Sequence, residues 1–565
     1  VTAAAGQRGA ATWGLALLVA VATAALMLAT APRLTIVWDE GYTLGREERL
    51  RLWFRALADP VRFAAAWRPP EPGKELVQQE GARPPHQNQI DARAKLLTDP
   101  DVLAWFWPFA REEPHGHPPF YALVGLAGDL LAPGWAPLPR ARLGPMLVFS
   151  LAAGALCHFV TRRWGVWPGG LAAGAWVFQP NLFGHGHYAT YDAVLSSLWV
   201  GSILAFAAAV EPPGHHRRPR WSWAIVFGLL LGCAADTKFT GWLLPLPFLA
   251  WSVLYRERRG LLALLVGLGV ALLVLYALNP PWWNEPLAGV ERFVRSNLTR
   301  GRTRPIRVQF LGQVYSTPNA SLPWYNTLVW TLFVVPVGFL GLALAGVYRS
   351  LERARSEPFG VLAVGHWGFL LLLRALPHTP GHDGIRQFLP AFGVLALVAG
   401  LGAAWVCERF TRAGKLLILA ALVEGALSVA LLMPVPLSYY SPLVGGLPGA
   451  TWWGMEPTYY WDALSDDALD WLNTHPEGKV QFATYPRSWL YLRDTGRLRA
   501  PLLLPTEPGV VAWYVLQNRP GEFSPQQRLL AERGRPAYVV QKQGVPLVWI
   551  FPYSELDRLT RRRQE

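Results

Sequence analysis

An acidic pair, Asp39-Glu40, stands just beyond the first apolar run of this chain, which extends from about Ala11 to Ala31. A carboxylate held beside a bilayer can take a proton from an attacking hydroxyl, an effect of roughly 10²–10⁴-fold on rate. Polar side chains recur at the ends of later apolar runs. They are His115-Gly116-His117-Pro118-Pro119, Arg140 and Arg142, His185-Gly186-His187 with Asp192, Asp236-Thr237-Lys238, and His382-Asp383-Gly384-Ile385-Arg386. Cationic side chains there can neutralise charge that develops on a departing phosphate. Ionisable groups inside a bilayer cost about 2.5–3.5 kcal/mol at a helix centre, so each needs a reason to be there. A base combined with phosphate clamps is the chemistry these residues offer together. If the leaving group is a lipid phosphate, it lies at headgroup level, where Lys238, Arg386 and Arg142 are placed.

Each member also has a plainer use. Asp39-Glu40 suits the start of a surface helix beginning at Gly41. His117-Pro118-Pro119 suits a turn before such a helix, and Lys238 can snorkel to the interface. His185 and His187 have the spacing of a metal pair but equally suit an interfacial loop. Asp192 opens an apolar run, where a carboxylate complements the helix dipole. Arg386 can bind lipid headgroups without selectivity. The joint placement of these residues argues for a site more strongly than any one of them.

The elements that must position them are membrane spans. Of 565 residues, 52% are hydrophobic and only 16% charged, well under the quarter usual in soluble domains. Apolar runs of roughly 20 residues recur, each long enough for a hydrocarbon core of about 30 Å. Spans are expected near 12–31, 142–160, 166–183, 190–210, 221–235, 240–256, 260–278, 323–347, 359–376, 387–406 and 414–433. The first is too long for a signal peptide and reads as a retained helix. The mean hydropathy of only +0.20 reflects dilution by long polar stretches. Many of the 28 Trp and 18 Tyr sit near span ends, as interfacial belts require. The net charge of +14 does not indicate nucleic acid, because much of the Arg lies in short loops between spans. Cys157, Cys233 and Cys407 lack metal-ligand or disulfide spacing.

Charge decides the topology. If the short run 118–131 lies on the surface, five short loops on one side carry most of the loop Arg and Lys. These hold Arg162 and Arg163; Arg217, Arg218 and Arg220; Arg256, Arg258 and Arg259; Arg349, Arg353 and Arg355; and Arg409, Arg412 and Lys415. Basic short loops stay cytoplasmic. The segments 32–141, 279–322 and 434–565 then lie outside, together with every polar motif above. The Arg-rich loop 279–322 escapes the rule by its length and suits lipid phosphate. From about Val435 the composition becomes soluble and reads as a small α/β domain. Helices are expected at Asp466–Asn473 and Ser524–Arg533, each with a Ser N-cap. Strands are expected at Lys479–Thr484, Val510–Leu516, Ala537–Gln541 and Val545–Phe551. The expected organisation is a polytopic α-helical membrane domain, 1–434, with about eleven spans, and a C-terminal extracytoplasmic α/β domain, 435–565.

The order of motifs carries a resemblance. It runs from Asp39-Glu40 through His117-Pro118-Pro119, Ala141-Arg142-Leu143, Tyr188-Ala189-Thr190-Tyr191-Asp192 and Thr237-Lys238 to Asp383-Gly384-Ile385-Arg386. This order resembles the GT-C superfamily of polyprenyl-phosphate-sugar-dependent glycosyltransferases. Within it, the chain is similar to protein O-mannosyltransferases and to bacterial aminoarabinose transferases. Tyr439-Tyr440-Ser441-Pro442 and Tyr459-Tyr460-Trp461 also look like bacterial members. The resemblance implies inverting transfer of a hexosyl or pentosyl group from a polyprenyl phosphate to an acceptor hydroxyl, on the outer face of a bacterial inner membrane. It implies Asp39 as base, with Glu40 and Asp192 shaping the acceptor and sugar site. Lys238, Arg386 and Arg142 would hold the donor phosphate, and His117, His187 and Asp383 would contact substrate. Some relatives bind a divalent metal and others need none, so metal use stays open. The acceptor, whether lipid, glycan or protein, stays open too. The long insertion at about 68–95 and the Arg-rich loop depart from the pattern. The alternative is a lipid or solute transporter or flippase, and a third reading is an inactive scaffold. Transporters tend to show paired repeats and midplane charges, and this sequence shows neither.

Overall fold

Where apolar runs are unbroken they fold into long helices, and where proline interrupts them they kink or shorten. In the computed structural model, residues 2–70, 83–109, 117–211, 218–303, 306–316, 320–503 and 509–561 are described. His115, Gly116, Arg217, Arg304 and most of the Pro-rich stretch 69–85 lie outside these residues. Among the described residues, seven helices are long and apolar enough to cross a membrane. They are Ala11–Arg33, Pro137–Trp164, Tyr191–Val210, Arg258–Ala277, Pro358–Ala375, Pro390–Arg409 and Thr411–Leu432. The other four expected spans are shorter or broken. Val166–Val177 is followed by Pro180–His187, and Asn326–Val334 by Val337–Glu352. Pro180 and Pro336 stand at these breaks, since proline cannot donate to the preceding turn. Trp221–Ala235 has only 15 residues, and the next run begins as a 3₁₀ turn, Phe239–Leu243, before Pro245–Leu254. The fold is thus that of a polytopic α-helical membrane protein.

Tyr191–Val210 and Pro390–Arg409 are the central helices, with 89% of each apolar window buried, against 33% for Arg258–Ala277 and Thr411–Leu432. Close approach at the centre depends on glycine. A Cβ on Gly402 would lie 1.8 Å from the Leu342 carbonyl oxygen, and one on Gly346 would lie 2.0 Å from that of Val398. Small residues let membrane helices pack backbone to backbone, the gain being van der Waals contact rather than hydrophobic burial.

The run 118–131 becomes Phe120–Leu131, which at 12 residues is too short to span. It packs on Pro137–Trp164 through Gly125, Gly128 and Gly144. Beside it lies Trp38–Ala58, the helix that carries Asp39 and Glu40.

Beyond residue 434 a four-stranded sheet forms in the order Lys479–Phe482, Val511–Gln517, Val545–Pro552, Tyr538–Lys542. The first pair is parallel and the others antiparallel, with Val515 opposite Ile550 at the buried centre. Ser465 and Ser524 cap Asp466–Thr474 and Pro525–Arg533, as their positions required. The C-terminal region is stitched to the membrane part through its backbone carbonyls. Trp38 N donates to Tyr460 O at 3.1 Å, and Thr35 Oγ1 to Asp462 O at 2.9 Å.

Gly402→Val should destabilise the protein by about 1–3 kcal/mol or more, because the neighbouring backbone cannot yield. Gly170→Ala, where nothing lies within 4 Å of the added carbon, should be neutral or stabilising. Thermal unfolding of the detergent-solubilised variants, followed by Trp fluorescence, checks both.

Candidate active site

Val37 is extended, and the helix begins at Trp38, three residues earlier than the sequence suggested. Adjacent side chains on a helix diverge by about 100°, and Asp39 and Glu40 accordingly do different things. Glu40 turns inward and is fully buried. Its Oε2 accepts from Val37 N at 3.0 Å, capping its own helix, and its Oε1 accepts from Ala189 N at 2.9 Å. Arg142 grips the same carboxylate with Nε and Nη2, both at 2.7 Å. The rest of that guanidinium goes to backbone carbonyls: Leu34 O at 2.9 Å, Thr35 O at 2.7 Å and Ala31 O at 3.4 Å. Arg142 is 2% exposed. Where a phosphate contact is expected of Arg142, the structure shows its donors engaged by Glu40 and by backbone carbonyls. Arg142 acts as a strut from Pro137–Trp164 to the end of the first span and to Trp38–Ala58, and through Glu40 to the loop before Tyr191–Val210.

Asp39 meets a second network. Its Oδ2 accepts from Tyr191 OH at 2.6 Å and from Arg386 Nη2. Arg386 also donates from Nε to Asp192 Oδ2 at 2.7 Å and from Nη1 to Asp383 Oδ2 at 2.8 Å. Lys238 Nζ reaches Asp192 Oδ1 at 2.8 Å and Gln387 Oε1 at 3.3 Å. Arg519 of the C-terminal region closes the far side, with Nη2 2.9 Å from Asp383 Oδ1. Aromatic faces wall the cations. Arg386 lies 4.4 Å from the Tyr460 ring centroid, and Lys238 lies 4.9 Å from that of Tyr191. His117 stacks on Tyr191 at 3.9 Å.

Among the three aspartates on Arg386, the side chain of Asp39 is the most exposed, at 14%, against 9% for Asp383 and 1% for Asp192. Both hydrogen bonds described for its carboxylate fall on Oδ2, which leaves Oδ1 able to accept a proton. Asp383 has φ of +61° and precedes Gly384 at +56°, a left-handed turn that aims its carboxylate back at Arg386. Burial would raise the Asp383 carboxyl, but Arg519, His382 and Arg386 overcome it and hold the group at about 2. A cavity of about 220 Å³ opens beside the cluster, between Asp383, Tyr460 and Trp38 on one side and Arg519 and Gln527 on the other.

His187 lies elsewhere. Its ring nitrogens are engaged at 2.8 Å by Thr30 Oγ1 and Phe183 O, and it is fully buried. Where a substrate contact is expected of His187, the structure shows it pinning Pro180–His187 to the first span. His185 is fully buried too, within that helix rather than in a loop. Among the described residues no three His, Cys, Asp or Glu side chains gather as a metal site. The three aspartates surround a guanidinium, whose charge and donors fill the role a cation would take.

Sequence reasoning did not assign Tyr191, Tyr460, Gln387 or Arg519. Tyr191 had a signal, since it adjoins Asp192 in a polar approach to a span. Arg519 had none, because nothing around Asn518-Arg519-Pro520 separates it from other surface arginines.

With this geometry established, comparison places the chain. Residues 117–283 match the family described as Dolichyl-phosphate-mannose-protein mannosyltransferase. That stretch contains His117, Arg142, Asp192 and Lys238 and ends before Asp383 and Arg386. The fold matches that of ArnT from Cupriavidus metallidurans in its apo state, with a TM-score of 0.52 and 15% identity over 95% of this chain and 98% of that one. The same protein bound to undecaprenyl phosphate matches with a TM-score of 0.50 and 15% identity, over 94% and 97%. No curated protein sequence matches. The fold is thus like that of ArnT, and the resemblance read from the motif order is borne out in fold and, over residues 117–283, in sequence.

Two outcomes test the supports of the site. Arg142→Ala leaves Glu40 buried without its partner and should cost about 3–5 kcal/mol of stability, seen as a lower unfolding midpoint. Burial raises the Glu456 carboxyl from its ordinary 4.5 to about 7, against the pull of Arg519. Folding therefore takes up a proton across that interval. The stability this adds is full below the ordinary value and is lost as pH rises through about 7. The unfolding midpoint should fall between pH 6 and pH 8, and Glu456→Gln should flatten that fall.

Proposed function

We propose that this protein is a glycosyltransferase that moves a sugar from a polyprenyl phosphate to an acceptor hydroxyl, on the extracytoplasmic face of a bacterial inner membrane. The observation that carries the reading is the pairing of a reachable carboxylate, Asp39, with Arg386 and Lys238 at the same ends of the spanning helices. The match of residues 117–283 and the undecaprenyl phosphate bound by ArnT support the donor class.

In this reading Asp39 takes the proton from the acceptor hydroxyl. The acceptor oxygen forms its bond to the anomeric carbon as the bond from that carbon to the phosphate oxygen breaks, with inversion. The polyprenyl phosphate leaves carrying the electron pair. Lys238 and Arg386 meet the growing negative charge, in a buried setting where such contacts act far more strongly than in water. Arg300, on Pro286–Thr303, lies within electrostatic reach of Lys238 and Tyr191 and adds positive potential. Asp192 keeps Lys238 and Arg386 correctly spaced, and Tyr191 orients Asp39. Asp383 and Arg519 hold Arg386 from the side of the C-terminal region. The cavity between Trp38 and Gln527 gives the acceptor its approach.

The test is sugar release from a panel of polyprenyl-phosphate sugars by protein in lipid nanodiscs. Asp39→Asn should lower turnover by about 10²–10⁴-fold and leave donor binding intact. Lys238→Ala should weaken donor binding itself. Loss of donor binding in Asp39→Asn, or unchanged binding in Lys238→Ala, contradicts the assignment.

A further inference from the structure

At the other end of the same helices lies a second concavity, of about 560 Å³ and independent of the catalytic cluster. It is a lateral groove between Pro137–Trp164, Tyr191–Val210 and Trp221–Ala235, with Trp13 of the first helix on its edge. Asp192 and Lys238 sit at the opposite termini of the last two helices. Its floor is made of small residues, Ala152, Ala155, Gly201, Ala205 and Ala208. Their small side chains leave a channel where larger ones would have filled the helix contact.

The mouth is basic. Arg162, Arg163 and Arg220 line it, with Glu211 as the acid among them. Arg163 is paired with Glu211. Among the described residues Arg162 and Arg220 have no ion-pair or hydrogen-bonding side-chain partner, so two cations remain uncompensated at the end of an apolar channel. From Val148 to Arg162 the channel follows about 21 Å of helix at 1.5 Å per residue. That is about the depth of one leaflet, half of a core of about 30 Å plus a headgroup layer. Apolar wall, leaflet depth and a cationic rim are the three properties of an anionic lipid, and basic pockets between spanning helices select such headgroups.

We propose that this groove binds one anionic diacyl phospholipid of the leaflet opposite the catalytic cluster. Its phosphate lies between Arg162 and Arg220, and an acyl chain runs along Ala155 and Gly201 toward Val148. Charge complementarity and length set the occupant. The lipid fills a gap that the helices leave open and holds the first span against Tyr191–Val210.

Native mass spectrometry of the full chain, released from mild detergent, tests this with phosphatidylglycerol as the probe and phosphatidylethanolamine as the zwitterionic control. One phosphatidylglycerol should be retained per chain in preference to phosphatidylethanolamine. Its apparent affinity should fall at least about tenfold in Arg162→Ala/Arg220→Ala, each factor of ten being about 1.4 kcal/mol. Ala208→Trp, which fills the channel and spares the rim, should also reduce retention. Equal retention of the two lipids, or retention unchanged in both variants, overturns the proposal. So does displacement of phosphatidylglycerol by an equimolar polyprenyl phosphate.

Discussion

One guanidinium organises the polar end of this membrane protein. Arg386 ion-pairs with Asp39, Asp192 and Asp383, which come from a surface helix, a central span and its own loop. Three buried carboxylates so close together would repel one another and lose their hydration. Lys238 on Asp192 and Arg519 on Asp383 bring the count to three acids and three bases. Such a set is tolerable only if every member arrives, because removing one leaves a charge buried and unpaired. The relative placement of the helices is therefore tied to charge balance as well as to packing.

The neighbouring pair Asp39-Glu40 shows how one sequence feature divides into two jobs. Read from sequence, both the chemical and the capping interpretations were available for it. Both hold, one for each residue. Glu40 caps the helix and locks Arg142, and Asp39 faces Arg386 and remains reachable. The strut made by Glu40 and Arg142 fixes the helix start, and so fixes where Asp39 can be.

Much of the architecture was legible. Apolar length gave the long helices, and serine caps gave both predicted helices of the C-terminal region. Short apolar segments gave all four strands of the C-terminal region to within a residue or two. Helix continuity was less legible, because composition registers apolar length while single prolines decide whether a span is one rod or two. At the site, Asp39, Asp192, Lys238, Asp383 and Arg386 stood out as charges where charge is expensive. Arg142 and His187 stood out as polar groups among apolar ones, and the structure shows both engaged with neighbouring elements. Arg519 was invisible. It is one arginine among many in a soluble segment, and only the docking of that segment gives it meaning.

The hydrogen bond from Trp38 to Tyr460 bears on how the molecule is made. Residues that a ribosome delivers hundreds of positions apart must find each other across a membrane surface before the charge set is complete. The strut from Arg142 to Glu40 can form early, but Asp39 beside it has no Arg386 to meet until that residue emerges, and Asp383 no Arg519 until later still. Contacts of such high sequence separation form late. Completion of the charge set is thus withheld from a nascent or truncated chain and conferred at the end of synthesis, so assembly serves as its own checkpoint.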